Sequence, residues 1–162
     1  MKGKLLGLVV LLAFSVAAWG HGESQHKPPV KKQVKVSEEK VFGRAGDPTR
    51  IMRTISVGMD DSMHFTPGDV TFKQGDTIRF VVHNDGKIMH EMVIGTLKEL
   101  KEHAELMRKF PGMEHDEDYM AHVAPGKQEQ IVWQFTKPGE FYYACLIPGH
   151  LEAGMIAKIH VK

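Results

Sequence analysis

Near its C-terminus the chain reads Cys145-Leu146-Ile147-Pro148-Gly149-His150-Leu151-Glu152-Ala153-Gly154-Met155. A thiol, an imidazole and a thioether therefore share eleven residues, and Cys145 is the only cysteine in the chain. This stretch limits the fold more than any other feature. For the three side chains to act together, the loop must be held at both ends by regular structure. A fourth group must then reach it from a different part of the chain. His90 is the candidate, because it heads the apolar run His90-Glu91-Met92-Val93-Ile94.

Two His, one Cys and a weakly held Met make the ligand set of a trigonal cupric site with a long axial thioether. Soft sulfur combined with imidazole suits copper passing between Cu(I) and Cu(II), whereas a hard cation would call for clustered carboxylates. Zinc accepts Cys and His readily, but a Met ligand argues against it. A lone Cys is usually a small buried hydrophobe. In an oxidising compartment, however, a free thiol is a liability unless it is buried or bound, and metal ligation accounts for Cys145 better than a spare thiol does.

The remaining pattern is β. Residues 51–57, 70–72, 77–83, 89–94, 128–135, 141–145 and 155–161 read as strands. In two of them the alternation is clear, with Ile78, Phe80 and Val82 on one face and Ile131, Trp133 and Phe135 on another. Turn signals separate them, among them Gln74-Gly75-Asp76 and Asn84-Asp85-Gly86. About seven strands joined by Gly- and Pro-rich turns point to an all-β Greek-key sandwich or barrel. One helix is inserted. Thr96 and Glu99 form a capping box, Leu97, Leu100, Ala104 and Met107 fall at helical spacing, and Phe110-Pro111-Gly112 ends the run.

These motifs together resemble the cupredoxin family of type 1 copper proteins. The Cys-x4-His-x4-Met loop with an upstream His carries the likeness, and two further stretches extend it. Phe65-Thr66-Pro67 through Lys73-Gln74-Gly75-Asp76-Thr77 resembles an early family strand pair, and Gly139-Glu140-Phe141-Tyr142-Tyr143-Ala144-Cys145 resembles the strand that delivers the cysteine. The Met- and His-rich additions are most similar to the small periplasmic cupredoxins of copper tolerance, some of them green. The resemblance implies Cys145, His90 and His150 as equatorial ligands and Met155 as the axial one. It also implies an electron port at the solvent edge of His150, ringed by Leu146, Ile147, Pro148, Leu151, Ile88 and Met89, where a redox partner protein would dock. Glu91 follows His90 where many cupredoxins carry Asn, which puts the usual loop-bracing hydrogen bond in question. Asn84 and Asp85 are candidates to brace the loop leading to His90.

Residues 1–20 read as a signal peptide. Lys2 and Lys4 form its basic start, residues 5–18 are an apolar run short for a membrane span, and small residues precede two candidate cleavage points at Ala17 and Gly20. A periplasmic, secreted product with no membrane attachment is expected. Removing this segment leaves 19 Lys and Arg against 20 Asp and Glu, a net charge of −1, so neither nucleic acid nor an anionic membrane is an expected partner. Residues 21–49 are polar and aperiodic and read as a flexible tail, so the folded domain is expected over 50–162. Cleavage after Gly20 would expose the amine and imidazole of His21, with His26 nearby, as a metal chelate.

A second layer of soft ligands lies outside the main loop. Met59, Met63 and His64 cluster in one segment, and Met113, His115, Met120 and His122 in another. Thioethers on polar loops suit a soft metal, so these residues are a candidate second copper site. An electron shuttle has no use for them, whereas a copper-handling protein does. Copper tolerance through a redox-active mononuclear copper centre is therefore the expected function, with a soluble one-electron carrier between periplasmic partners as the alternative. No enzymatic role is expected. The chain lacks the His-x-His pairs of a trinuclear cluster and shows no Ser/His/Asp or paired-carboxylate arrangement.

Overall fold

The structure is a computed structural model that describes residues 38–111 and 115–162. The expected signal peptide, residues 21–37 of the expected tail with His21 and His26, and Met113 lie outside the described residues.

Ten strands and one helix follow in the order β1 (Arg44–Ala45), β2 (Arg53–Asp60), β3 (His64–Thr66), β4 (Val70–Phe72), β5 (Thr77–Asn84), β6 (His90–Gly95), α1 (Leu97–Lys109), β7 (Met120–Val123), β8 (Gln128–Gln134), β9 (Gly139–Ala144) and β10 (Ile156–Val161). They form two five-stranded sheets, ordered β1-β8-β5-β2-β3 and β4-β10-β9-β6-β7. The β2–β5 and β4–β10 pairs are parallel, and the remaining pairs are antiparallel. This is the expected all-β sandwich with one helix.

Alternation in sequence becomes burial in space. Ile78, Phe80 and Val82 are fully buried on β5, and Ile131 and Trp133 on β8 pack beside them. The core is aromatic at one end, where Phe72 stacks on Phe135 and meets Phe80 edge-on, with ring centroids 5.3 and 5.9 Å apart. The helix starts as expected. Thr96 accepts from the Glu99 amide, and the Glu99 side chain reaches back to the Thr96 amide. Its stripe is narrower than the sequence pattern, because only Leu100 and Ala104 are buried, against Val93, Ala144 and Leu146 on the outer face of the second sheet.

Strands β1, β3 and β7 were not read from sequence. They span two, three and four residues, too short for a period of two to declare itself. The larger departure concerns residues 40–49, which the sequence places in the tail. Phe42 is buried in the core and stacks on Trp133 at 5.3 Å, the Trp133 indole N–H donates to the Phe42 carbonyl at 2.9 Å, and β1 pairs with β8. One aromatic anchor recruits a segment whose composition is otherwise that of solvent-exposed chain. Trp133 needs the partner, since a buried indole N–H without an acceptor is costly.

Candidate metal centre

Strand β9 ends at Ala144 and β10 begins at Ile156, so residues 145–155 form the loop between two antiparallel neighbours. Its ends are tied together, since the Cys145 amide donates to the Met155 carbonyl at 3.1 Å and the Met155 amide to the His150 carbonyl at 3.0 Å. Gly149 and Gly154 have φ values of +92° and +99°, and a Cβ at either would meet nothing within 4 Å. Glycine is therefore required there by backbone conformation, and not by the close approach expected at Gly154.

The loop delivers Cys145 and His150 to His90, which opens β6 in the same sheet. One ligand atom from each of the three lies within 4.8 Å of the others, and all three residues are buried. The His90 and His150 rings are 5.0 Å apart, and Cys145 Sγ lies 3.2 Å from His150 Nδ1. Met155 is fully buried in the same core cluster as Cys145. The four residues singled out from sequence thus come from one loop and one strand start.

The electrostatics fit a soft cation. Burial pushes the Cys145 thiol up to about 12, partly opposed by the backbone amides of Glu91 and Ile147. Burial, and then the neighbouring His90, hold His150 below its usual range. The metal-free cluster is therefore a thiol beside a neutral His150 ring, and an incoming metal must displace the thiol proton. Uptake at neutral pH is expected to release that proton, measurable with an indicator dye in weak buffer. The remaining donor is more telling. His90 Nδ1 is buried with no hydrogen-bond partner, while Nε2 faces Asp61 Oδ1 at 3.2 Å. A buried ring nitrogen left unpaired in this way costs stability unless a metal takes its lone pair. The donor set and the orphaned atom fit copper.

Asp61 was not singled out from sequence. Its carboxylate accepts the Lys87 amide at 2.9 Å and turns to His90 from 29 residues away, fixing the tautomer that leaves Nδ1 free. Hydrogen bonding from the Lys87 backbone, foremost, holds Asp61 below its usual range. A Cβ on Gly86 would meet Asp61 Oδ1 at 2.1 Å, so this turn needs glycine for the carboxylate to approach. Replacing Asp61 by Ala is expected to weaken copper binding by about 10–100-fold, measured by competition with a chelator.

Asn84 braces the His90 loop as expected from sequence. Its amide nitrogen donates to the carbonyls of Ile88 at 2.8 Å and Val123 at 2.7 Å, and its oxygen accepts the Gly86 amide at 2.9 Å. Glu91 resolves the question raised by its place after His90. The side chain is buried and accepts the Leu146 amide at 2.9 Å, so a carboxylate bridges to the ligand loop.

The second layer of Met and His does not assemble as one site. Met59 and Met120 are strand residues with buried side chains in different core clusters. Met63 packs against the first cluster, and His64 is exposed with Nδ1 2.6 Å from the Ser62 carbonyl. His122 has both ring nitrogens engaged, by Glu91 at 2.9 Å and the His115 carbonyl at 3.2 Å, and the His115 ring lies 4.9 Å from His103. The thioethers that read as loop ligands are mostly packing groups, because short strands β3 and β7 turn these segments inward. Among the described residues, His90, Cys145 and His150 are the one such group of three or more His, Cys, Asp or Glu donors.

With the geometry in hand, the relatives are informative. Residues 53–162 match the family model of copper binding proteins of the plastocyanin/azurin type. The chain belongs to that family, and copper is the ion its site takes. It is 50% identical over 121 residues to the copper-resistant cuproprotein CopI of Rubrivivax gelatinosus, covering 75% of this chain and 73% of that one. It is 40% identical over 110 residues to the CopI of Vibrio cholerae, covering 67% and 65%. In fold it is similar to auracyanin of Roseiflexus castenholzii, with a TM-score of 0.59 and 20% identity over 67% of this chain and 96% of the other. Auracyanin A, a blue copper protein from Chloroflexus aurantiacus, gives a TM-score of 0.57 at 16% identity, over 67% and 98%. No helix among the described residues is long and apolar enough to cross a membrane.

Proposed function

We propose that His90, Cys145 and His150 hold copper equatorially, that Met155 lies at the axial position, and that this centre serves copper tolerance in the periplasm. The orphaned Nδ1 of His90 inside a buried Cys/His cluster carries the assignment. Copper bound there supplies one-electron redox chemistry between Cu(I) and Cu(II). The chain's own part is to keep the donors still. The hydrogen-bonded base of the 145–155 loop, the Asp61 and Asn84 braces and complete burial of Cys145 and Met155 all limit ligand movement between oxidation states. The names of the CopI relatives support copper resistance as the setting. The apolar side chains of Ile88 and Met89, 44% and 47% exposed beside His90, support a docking edge for a redox partner.

The test is a Cu(II) titration of the mature protein with bound copper counted, paired with growth of a deletion strain on copper. A single copper per chain with an intense thiolate band, and copper sensitivity rescued by the wild-type chain, are expected. Unchanged copper sensitivity, together with a partner starved of electrons, would favour the soluble carrier. Further copper bound without colour would restore a second site.

A further inference from the structure

Glu91 lies at the junction of three things: the His90 ligand strand, the Cys145 loop and the protein surface. It is 2% exposed and faces the outer side of its sheet, beneath the region covered by α1. Its Oε1 accepts the amide of Leu146, the residue after Cys145, and its own backbone amide favours the Cys145 thiolate. Its Oε2 meets His122 Nδ1 at 2.9 Å, across the register that pairs Glu91 with His122 on β7. The His122 side chain is 33% exposed, and its Nε2 faces the His115 carbonyl at 3.2 Å. Both His122 nitrogens face acceptors, so both carry protons and the ring is an imidazolium. Its raised pKa, due first to the Glu91 hydrogen bond, agrees.

A carboxylate buried here without a counter-charge would be costly, and its negative field would favour Cu(II) over Cu(I) in the adjacent centre. An uncharged Asn-like brace would accept the Leu146 amide as well. The pairing with His122 is thus the distinctive addition.

We propose that Glu91 is a positioning residue for the copper loop, and that His122 cancels its charge so that the brace does not depress the reduction potential. The proposal rests on Cys145 being a copper ligand. Glu91 clamps Leu146 and so sets where the Cys145 sulfur stands, and His122 ties that clamp to the solvent-facing edge of β7.

The experiment uses the full-length mature protein carrying His122→Phe, Glu91→Gln, both together, and Glu91→Ala. Three properties are read: the Cu(II) visible spectrum, the reduction potential, and hydrogen exchange of the Leu146 amide in the metal-free protein. His122→Phe is expected to lower the potential in the wild-type background and to leave it unmoved in the Glu91→Gln background, where no carboxylate remains to be uncovered. Glu91→Ala is expected to raise Leu146 exchange by at least about 10-fold, as befits loss of one buried hydrogen bond, and to change the ratio of thiolate bands. Glu91→Gln keeps an acceptor and should restore Leu146 protection. An equal fall in potential in both backgrounds would show His122 acting by its own charge and would overturn the pairing. Unchanged Leu146 exchange in Glu91→Ala would overturn the clamp. Should Glu91→Ala fail to fold, His122→Phe and its double variant still decide the matter. The metal-free exchange reading is independent of copper, so absence of any thiolate band in the wild type would sink the ligand assignment without being mistaken for failure of the clamp.

Discussion

Replacing Cys145 by Ser is expected to abolish the intense visible absorption of the copper-loaded protein and to leave the chain folded. The band arises from charge transfer between a thiolate and Cu(II), and a serine hydroxyl is neither soft nor ionised at neutral pH. The substitution is small, and its hydroxyl inherits a partner, because His150 Nδ1 lies 3.2 Å from the sulfur it replaces. The cost in stability should therefore stay near the lower end of the ~1–3 kcal/mol for a buried hydroxyl. Copper still held by His90, His150 and Met155 would bind weakly and without strong colour. Absorption spectroscopy with bound copper counted, and circular dichroism to confirm folding, read both halves of the result. A band that survived would remove Cys145 from the ligand set. The same variant should fail to rescue a copper-sensitive deletion strain if the coloured centre is what confers tolerance.

Replacing Phe42 by Ala is expected to cost about 3–5 kcal/mol, the range for emptying a buried aromatic site. Phe42 is 3% exposed, stacks on Trp133 and meets Tyr119 edge-on at 5.4 Å. Its loss would also loosen the carbonyl that accepts the Trp133 indole proton. Strand β1 is only two residues long and depends on this anchor to stay paired with β8. Urea unfolding measures the change directly. A segment that merely trailed from the domain would leave the midpoint where it was. The metal ligands lie elsewhere in the structure, so the folded fraction should keep its copper spectrum.

The ligand set was legible because copper chemistry compresses it into a spacing. Cys145, His150 and Met155 occupy one loop, and the loop's closure between β9 and β10 follows from apolar runs on either side. His90 was legible for a related reason, since it heads a strand whose burial is continuous. The second layer was misread because Met at a strand position and Met on a polar loop look alike in sequence. Met59 and Met120 became core once β2 and β7 were seen to continue through them.

Sequence by itself determined the two-sheet β architecture, the capped helix and the residues that gather at the copper site. Period-two alternation, a capping box and a tight ligand spacing are all local patterns, written within a few residues of one another. Only the tertiary structure decided how those ligands are held. Asp61 reaches His90 across 29 residues, Glu91 reaches Leu146 across 55, and Phe42 reaches Trp133 across 91. Such contacts leave no periodic trace. They arise where folding buries a polar group that must find a partner, and the partner is whichever side chain the packed sheets bring within reach.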